Sequence, residues 1–469
     1  MTLETLERQI QWDLAALCHG GSTWVRPRCA GDGHVHDVVV IGGGQSGLAA
    51  AFGLLRERVS NIVVLDENPE GYEGPWDTYA RMITLRTPKH ITAIDYGMPS
   101  LTFRAWYEAQ FGAEGWETLD KIPRGQWMEY LRWYRRVLNL PVVNDVRVTR
   151  IEWLDGEGIY RVHSHDRSWL ARKVILATGI QGGGEWHTPP MIADALPPHL
   201  YAHTSGPVDF EPLRGKRIAI LGGGASAFDN AQYGLKAGVA ETHVFIRRTV
   251  FQRVNPIRHM EATGITGRYI GLSDAEKYRF MASFFARNQP PTNDTFDRAV
   301  AQPGFHLHMG APWQAVEETA DGQVAVTTPQ GTDMFDHVLL STGLVTDPSL
   351  RPELADFAPE ILRWSDRYAA PDDIRNAMID DHPYLAPGFQ YLGRSDAASA
   401  KLRGLFAFNY SGLVSLGLSA SALSGLKFAL PRLIEGVVGD LFVQDAATLL
   451  DEHLAYNEEE FTGCREVVA

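Results

Sequence analysis

Cysteine is scarce in this 469-residue chain: only Cys18, Cys29 and Cys464, with no CxxC pair. That argues against a disulfide framework and a dithiol redox centre, and for a reducing compartment. Long apolar runs are missing too. No stretch reaches the ~18 apolar residues a membrane span needs, and the nearest, Leu413 to Leu430, is interrupted by Ser residues and Lys427. The start, Met1-Thr-Leu-Glu-Thr-Leu-Glu7, carries acids where a secretory signal needs bases and then an apolar run. The cytoplasm is the expected location. Positive charge is also in deficit, with 43 Lys and Arg against 57 Asp and Glu and a formal net charge of −14. Nucleic acid is therefore not an expected partner, and any phosphate must be held by locally focused bases. Metal-ligand spacing is thin. His34/His36, His163/His165 and His306/His308 are H-x-H pairs that share a face if they lie on strands. None has a third and fourth ligand nearby in sequence, so no metal is expected. A hydrolase elbow is absent as well, because Ser46 and Ser226 stand in Gly-rich turns without G-x-S-x-G spacing.

What the chain does have is the same glycine turn twice. Asp37-Val-Val-Val-Ile-Gly42-Gly-Gly44-Gln45-Ser46-Gly47 runs as a strand through GxGxxG into an Ala-rich helix. Arg217-Ile-Ala-Ile-Leu-Gly222-Gly-Gly224-Ala225-Ser226-Ala227 is the GxGxxA form. The first glycine allows the tight turn, the second lets a pyrophosphate approach the backbone, and a small third residue lets the helix pack on the strand. The helix N-terminus then offers unpaired N–H groups and the positive end of its dipole to the anion. The next strand decides which ribose is accepted. After the first turn it ends Ile62-Val-Val-Leu-Asp66-Glu67, and at the same offset the second copy reads Val244-Phe-Ile-Arg247-Arg248. A carboxylate accepts hydrogen bonds from a ribose diol and repels a 2′-phosphate, whereas a guanidinium pairs with that phosphate. The spacing leaves Asp66 and Glu67 unranked. The pair of turns predicts two dinucleotides, FAD at the first and NADPH at the second.

Alternating strands and helices specify a parallel α/β fold, with two Rossmann-like dinucleotide-binding domains and the NADPH domain inserted into the FAD domain. Residues 1–36 are read as an amphipathic helix (Leu3, Leu6, Ile10, Leu14, Leu17) and a linker. Residues 37–183 form the first part of the FAD domain, 184–333 the NADPH domain, and 334–469 the second part of the FAD domain with C-terminal helices. Residues 68–145 are a Trp- and Tyr-rich excursion with a helix from Gly125 to Val137. Gly404 to Asn409 reads as a last strand, and Ser419 to Gly436 as a helix. Of twelve Trp, those at 106, 116, 127 and 133 are expected mainly in core packing.

The two turns, together with Leu176-Ala-Thr178-Gly179 and Asp336-His-Val-Leu-Leu-Ser-Thr342-Gly343-Leu344, resemble class B flavoprotein monooxygenases over residues 37–430. That group comprises flavin-containing, Baeyer–Villiger and N-hydroxylating monooxygenases. The two Thr-Gly segments are similar to the family's crossings between domains. Glu73-Gly74-Pro75-Trp76 is similar to its GG-x-W segment, and Leu213-Arg-Gly-Lys216-Arg217 to its approach to the second turn. The resemblance implies that NADPH reduces FAD, that a flavin C4a-(hydro)peroxide forms from O2, and that one oxygen atom passes to N, S or a ketone carbon of a small molecule. It also implies that NADP⁺ stays bound. The subclass fingerprints are incomplete. His203 lies where the Baeyer–Villiger motif has its His, but the motif's Phe, Gly and Trp are missing. Thr84-Leu-Arg86-Thr-Pro-Lys89 puts Arg86 where flavin-containing monooxygenases carry an Asn.

Arg86 therefore stands as a candidate catalytic residue, stabilising a peroxide anion, touching the nicotinamide amide or pairing with a substrate carboxylate. Its alternative role is a structural bridge from the Trp-rich excursion to the core. His203 is a candidate NADP⁺ contact or an ordinary satisfied His. Asn409 is a candidate neighbour of the flavin ring or a loop cap. Trp76, Thr178, Gly179, Thr342 and Gly343 complete the cofactor-binding candidates. A reductase that passes electrons to a quinone or protein partner is the competing reading, and a homodimer is left open.

Overall fold

A computed structural model describes every residue except Asp32, Asn288, Thr462 and 464–469, so the expectation for Cys464 lies outside the described residues. The strand that leads into the first turn, Gly33–Ile41, contains the run Val38-Val39-Val40, which has no exposed surface. Strands buried on both faces read as continuous β-branched runs, and that is the signature of a parallel sheet covered on both sides. Its neighbours bear this out. Ile62–Leu65 and Ser168–Leu176 flank it in parallel, with Val142–Val143 and Leu405–Phe406 outside them, also parallel. Ile159–His163 and Arg150–Leu154 extend the sheet as an antiparallel hairpin.

The second sheet is parallel throughout, in the order Phe305–Met309, Glu241–Ile246, Arg217–Leu221, His337–Leu340, Tyr201–His203. The antiparallel strands Ala315–Glu318, Val324–Thr328 and Gly331–Phe335 form a third sheet. Between the large sheets the chain passes twice, along Gly184–Trp186 and Leu344–Thr346, and these two passages pair antiparallel with each other. The boundary expected at 333/334 is corrected by this topology. His337–Leu340 belongs to the second sheet, and the chain leaves that sheet only along Leu344–Thr346.

The C-terminal helix also differs from the expectation of Ser419 to Gly436. It spans Leu423–Ala455, burying Leu426, Leu430, Leu433, Val437 and Leu441 on one face. Its continuation was hidden because two of its inward residues are acids. Asp440 pairs with Lys173 and Arg403, and Asp445 takes both Arg172 nitrogens, at 3.0 and 2.8 Å. Lys173 and Arg172 have no exposed side-chain surface, so the acids are required where they are. At the other end, Leu3–Ala16 forms the expected helix with Leu6, Ile10 and Leu14 inward, while Leu17 beyond it is exposed. The excursion folds as helices Phe103–Thr118 and Arg124–Val137. Trp106, Trp116, Trp127 and Trp133 are buried there, as core packing requires.

Several histidines are held neutral by this packing. Burial lowers His36, His337 and His382 to about 4, and His382 keeps only one bond, from its Nδ1 to the Met378 carbonyl. A folded-state value below the unfolded one gives stability that is present above pH ~6.5 and lost as pH falls toward 4. Asp37, which burial pushes up to about 6, acts in the opposite sense and is outnumbered. The apparent Tm is expected to fall by roughly 5 °C or more between pH 7 and pH 5. His382→Gln should flatten that slope in a thermal scan, and an unchanged slope would remove His382 from the account.

Candidate active site

Each turn presses on one Thr-Gly segment. Gly42 has φ +102°, and a Cβ there would lie 2.5 Å from the Ala177 carbonyl oxygen, just before Thr178-Gly179. Gly222 has φ +128°, and its Cβ would land on the Ser341 carbonyl, just before Thr342-Gly343. The third positions are tight as well, since a Cβ on Gly47 would meet Gly42 O and Ala227 is wholly buried. Helices Gln45–Arg56 and Ala225–Lys236 start at Gly44 and Gly224, with no side-chain cap on their first N–H groups. Those donors are left for an anion. Ser46 is buried in the first helix turn, and Gln45 Oε1 accepts from Trp127 Nε1 at 3.2 Å; Ala225 and Ser226 occupy the matching places in the second.

The two acids after the first turn are now separated. Asp66 is 5% exposed, and its Oδ2 accepts the Gly43 N–H at 2.6 Å while Oδ1 accepts from Asn68. Burial raises its pKa against those hydrogen bonds. Glu67 is half exposed and faces Arg147 at 3.4 Å. A further buried acid, Glu73, lies against Gly43 and is held by Arg135, Asn144 and the Gly71 N–H. Its signal in sequence was the Glu that replaces the first Gly of the GG-x-W segment. After the second turn, Arg247 is exposed at the C-terminal end of its strand, with no partner among the described residues. Arg248 donates to the Ala286 carbonyl at 2.9 Å.

Between the two turns lies a seam with many polar groups. Asn409, 1% exposed, caps the short helix Tyr410–Gly412 through the Ser411 N–H and donates to Thr178 Oγ1 at 3.1 Å and Gly182 O at 3.2 Å. Both amide donors are taken, so the contacts present are those of the loop cap expected as its alternative role, and they tie the segment after the last strand to the first Thr-Gly segment. Gly179 and Gly343 adopt φ +71° and +87°, and Thr342 Oγ1 donates to the His187 carbonyl. His203 stacks on Trp186 of the linker strand at 4.9 Å and 15°, and accepts from the Ser205 N–H. Burial holds it neutral, at about 4.

Of the two roles open to Arg86, a free guanidinium at the flavin and a structural bridge, its contacts are those of the bridge. It ion-pairs with Asp229 of helix Ala225–Lys236, a carboxylate only 4% exposed, which makes Arg86 a bridge between the excursion and the second sheet's layer. Arg81, which sequence reasoning missed, crosses the same seam. It donates to Val208 O and lies 4.9 Å over the Tyr233 ring. Lys121 reaches Asp294 likewise. No local pattern marks such pairs, because each partner is fixed by the other unit. Along this seam Trp76 Nε1, Arg81 Nε, His203 Nε2, Asp229 Oδ1 and Asn230 Oδ1 are buried without a partner among the described residues. Buried polar atoms are costly unless bonded, so this lining fits large polar ligands such as two dinucleotides.

Comparison with known proteins agrees with that geometry. Residues 39–263 match the pyridine nucleotide-disulphide oxidoreductase family. The FAD-dependent urate hydroxylase of Xanthomonas campestris pv. campestris is 59% identical over 464 residues, 99% of this chain and 98% of the relative. The fold is that of the Kutzneria sp. ornithine N-hydroxylase solved with reduced FAD, NADP⁺ and L-ornithine. Its TM-score is 0.66 at 17% identity, covering 87% of this chain and 99% of that one. It is also that of the L-lysine 6-monooxygenase of Pseudomonas syringae (TM-score 0.66, 20% identity, 86% and 99% covered). With both turns, both Thr-Gly segments and a relative matched along 98% of its length in agreement, this chain belongs to the same family as the Xanthomonas FAD-dependent urate hydroxylase.

Proposed function

We propose that this enzyme is an NADPH-consuming, FAD-dependent monooxygenase that hydroxylates urate or a closely related oxopurine, with O2 as co-substrate. The 59% identity that runs through the whole chain to a urate hydroxylase carries the substrate. The finer expectation of attack at N, S or a ketone carbon narrows in this proposal to a ring atom of that oxopurine. The seam supports it on chemical grounds. Urate is planar, acidic and edged with alternating donors and acceptors, and Trp76 Nε1, Asn230 Oδ1 and Arg81 Nε are buried atoms of complementary kind without partners among the described residues.

In this reading the first turn holds FAD, with Asp66 rather than Glu67 on the ribose diol, because only Asp66 is turned toward Gly43. The second turn holds NADPH, with Arg247 on the 2′-phosphate and His203 near the domain crossing. Bound FAD supplies electron transfer and O2 activation. The residues of this chain orient the two cofactors, and the buried seam keeps water from them.

The reading is tested by mixing FAD-loaded enzyme with NADPH and O2. Urate should accelerate NADPH oxidation and disappear in step with O2 uptake, whereas ornithine and lysine should not. NADPH oxidation that urate leaves unchanged, or that a quinone accelerates without loss of O2, would sink it in favour of a reductase.

A further inference from the structure

One H-x-H pair gains from the fold what it lacked in sequence. His306 and His308 alternate along the edge strand Phe305–Met309, so both rings share a face. The neighbouring strand runs parallel in the register His243↔His306 and Phe245↔His308, which places Glu241 and His243 on that face too. A carboxylate oxygen of Glu241 and ring nitrogens of His243 and His306 lie within 4.8 Å of one another. The His243 and His306 rings are stacked, 4.3 Å apart at 24°. His243 Nε2 is 3.0 Å from Glu241 Oε2, and its Nδ1 is 3.0 Å from His308 Nε2. Neither the cofactor sites nor the seam uses any of these groups.

We propose that Glu241, His243 and His306 form a Zn²⁺ site with solvent in the fourth position. Two imidazoles and one carboxylate are an established three-ligand set for Zn²⁺, whose ligands at 2.0–2.1 Å stand about 3.3 Å apart in a tetrahedron. The Glu241–His243 spacing is already close to that. Outer support is also built in. With the metal on Nε2, His243 carries its proton on Nδ1 and donates it to His308 Nε2, while His308 keeps its own on Nδ1. Both rings stay neutral, and the second hydrogen bond orients the ligand. Arg217 is the opposing charge, donating to Glu241 Oε2 at 2.6 Å. Glu241 Oε1 has no hydrogen-bond partner among the described residues, so the carboxylate can bridge guanidinium and metal.

Position gives the consequence. Glu241 and His243 open their strand, whereas Gly222 and Arg247 lie beyond the opposite ends of these parallel strands. The ion would tie an edge strand to its neighbour, far from the coenzyme. The test is Zn²⁺ titration of the FAD-loaded full chain by calorimetry, with the unfolding midpoint followed in parallel. One ion per chain and a higher midpoint are expected. His306→Ala removes an exposed ring and should keep the fold and NADPH turnover, yet weaken Zn²⁺ binding by roughly 10–100-fold and abolish the midpoint shift. Glu241→Gln should do the same, and His165→Ala should bind as the parent does. Equal binding by His306→Ala, or no ion bound by the parent chain, would overturn the site.

Discussion

Arg86→Ala is expected to lower stability by about 3 kcal/mol, because it leaves Asp229 buried without its cation. Asp229 is 4% exposed, its Oδ1 already lacks a partner, and burial raises its pKa while Arg86 acts to lower it. Arg298 is the next cation that acts on it, but it is shared with Asp294 at 2.9 Å. In a chain of this size the loss should appear as a fall of several degrees in apparent Tm. The same truncation should loosen the helix Ala225–Lys236 from the excursion, so NADPH oxidation should become less tightly linked to hydroxylated product. The decisive comparison is Arg86→Met with Asp229→Leu. Replacing a buried ion pair by apolar residues of similar volume is often nearly neutral, so the double variant should regain most of the lost Tm. If it stays as unstable as Arg86→Ala, the bridge is not what Arg86 provides, and a role toward the substrate or flavin would return.

The contrast between Arg86 and the glycine turns shows what a sequence carries. Gly42 and Gly222 were legible because an anion cradle constrains the backbone itself, and only glycine meets that constraint at φ +102° and +128°. The parallel sheets were legible for a related reason, since burial on both faces demands unbroken runs such as Val38-Val39-Val40. Arg86 stood out in the sequence, with a bridge among its expected roles, but its partner Asp229 stands 143 residues away and looks like an ordinary surface residue until the two sheets are placed side by side. Asp440 and Asp445 misled for the same reason, and the C-terminal helix was cut short at Gly436. The last strand, expected to run to Asn409, stops at Phe406, and Asn409 instead caps the short helix that follows, its side chain bonded to Thr178, Gly182 and Ser411. The other two proposed zinc ligands, Glu241 and His243, came from register, which aligns their strand with His306 only once the strands pair.

Arg247→Asp should show the largest change in coenzyme use, a drop in kcat/KM for NADPH of roughly 100-fold with little change for NADH. A charge-assisted pair with a phosphate contributes about 1.5–3 kcal/mol, and an aspartate adds repulsion of the same dianion. Arg247 is the better placed of the two arginines. It follows Ile246 at the strand's C-terminal end, exposed and unpartnered among the described residues, while Arg248 already donates to Ala286 O. Arg248→Ala should therefore cost less than tenfold, and mostly through the loop it anchors. The new carboxylate of Arg247→Asp would stand where the first unit has Glu67, because the pairings Ile41↔Leu65 and Leu221↔Phe245 put Ile246 in the place of Asp66; there it would repel a 2′-phosphate and leave a free ribose diol unopposed. Urate hydroxylation driven by NADH should survive, because neither the flavin cradle nor the seam is touched. An unchanged NADPH-to-NADH ratio would mean that the 2′-phosphate is not read at this strand end, and the assignment of NADPH would fall while the FAD turn stood.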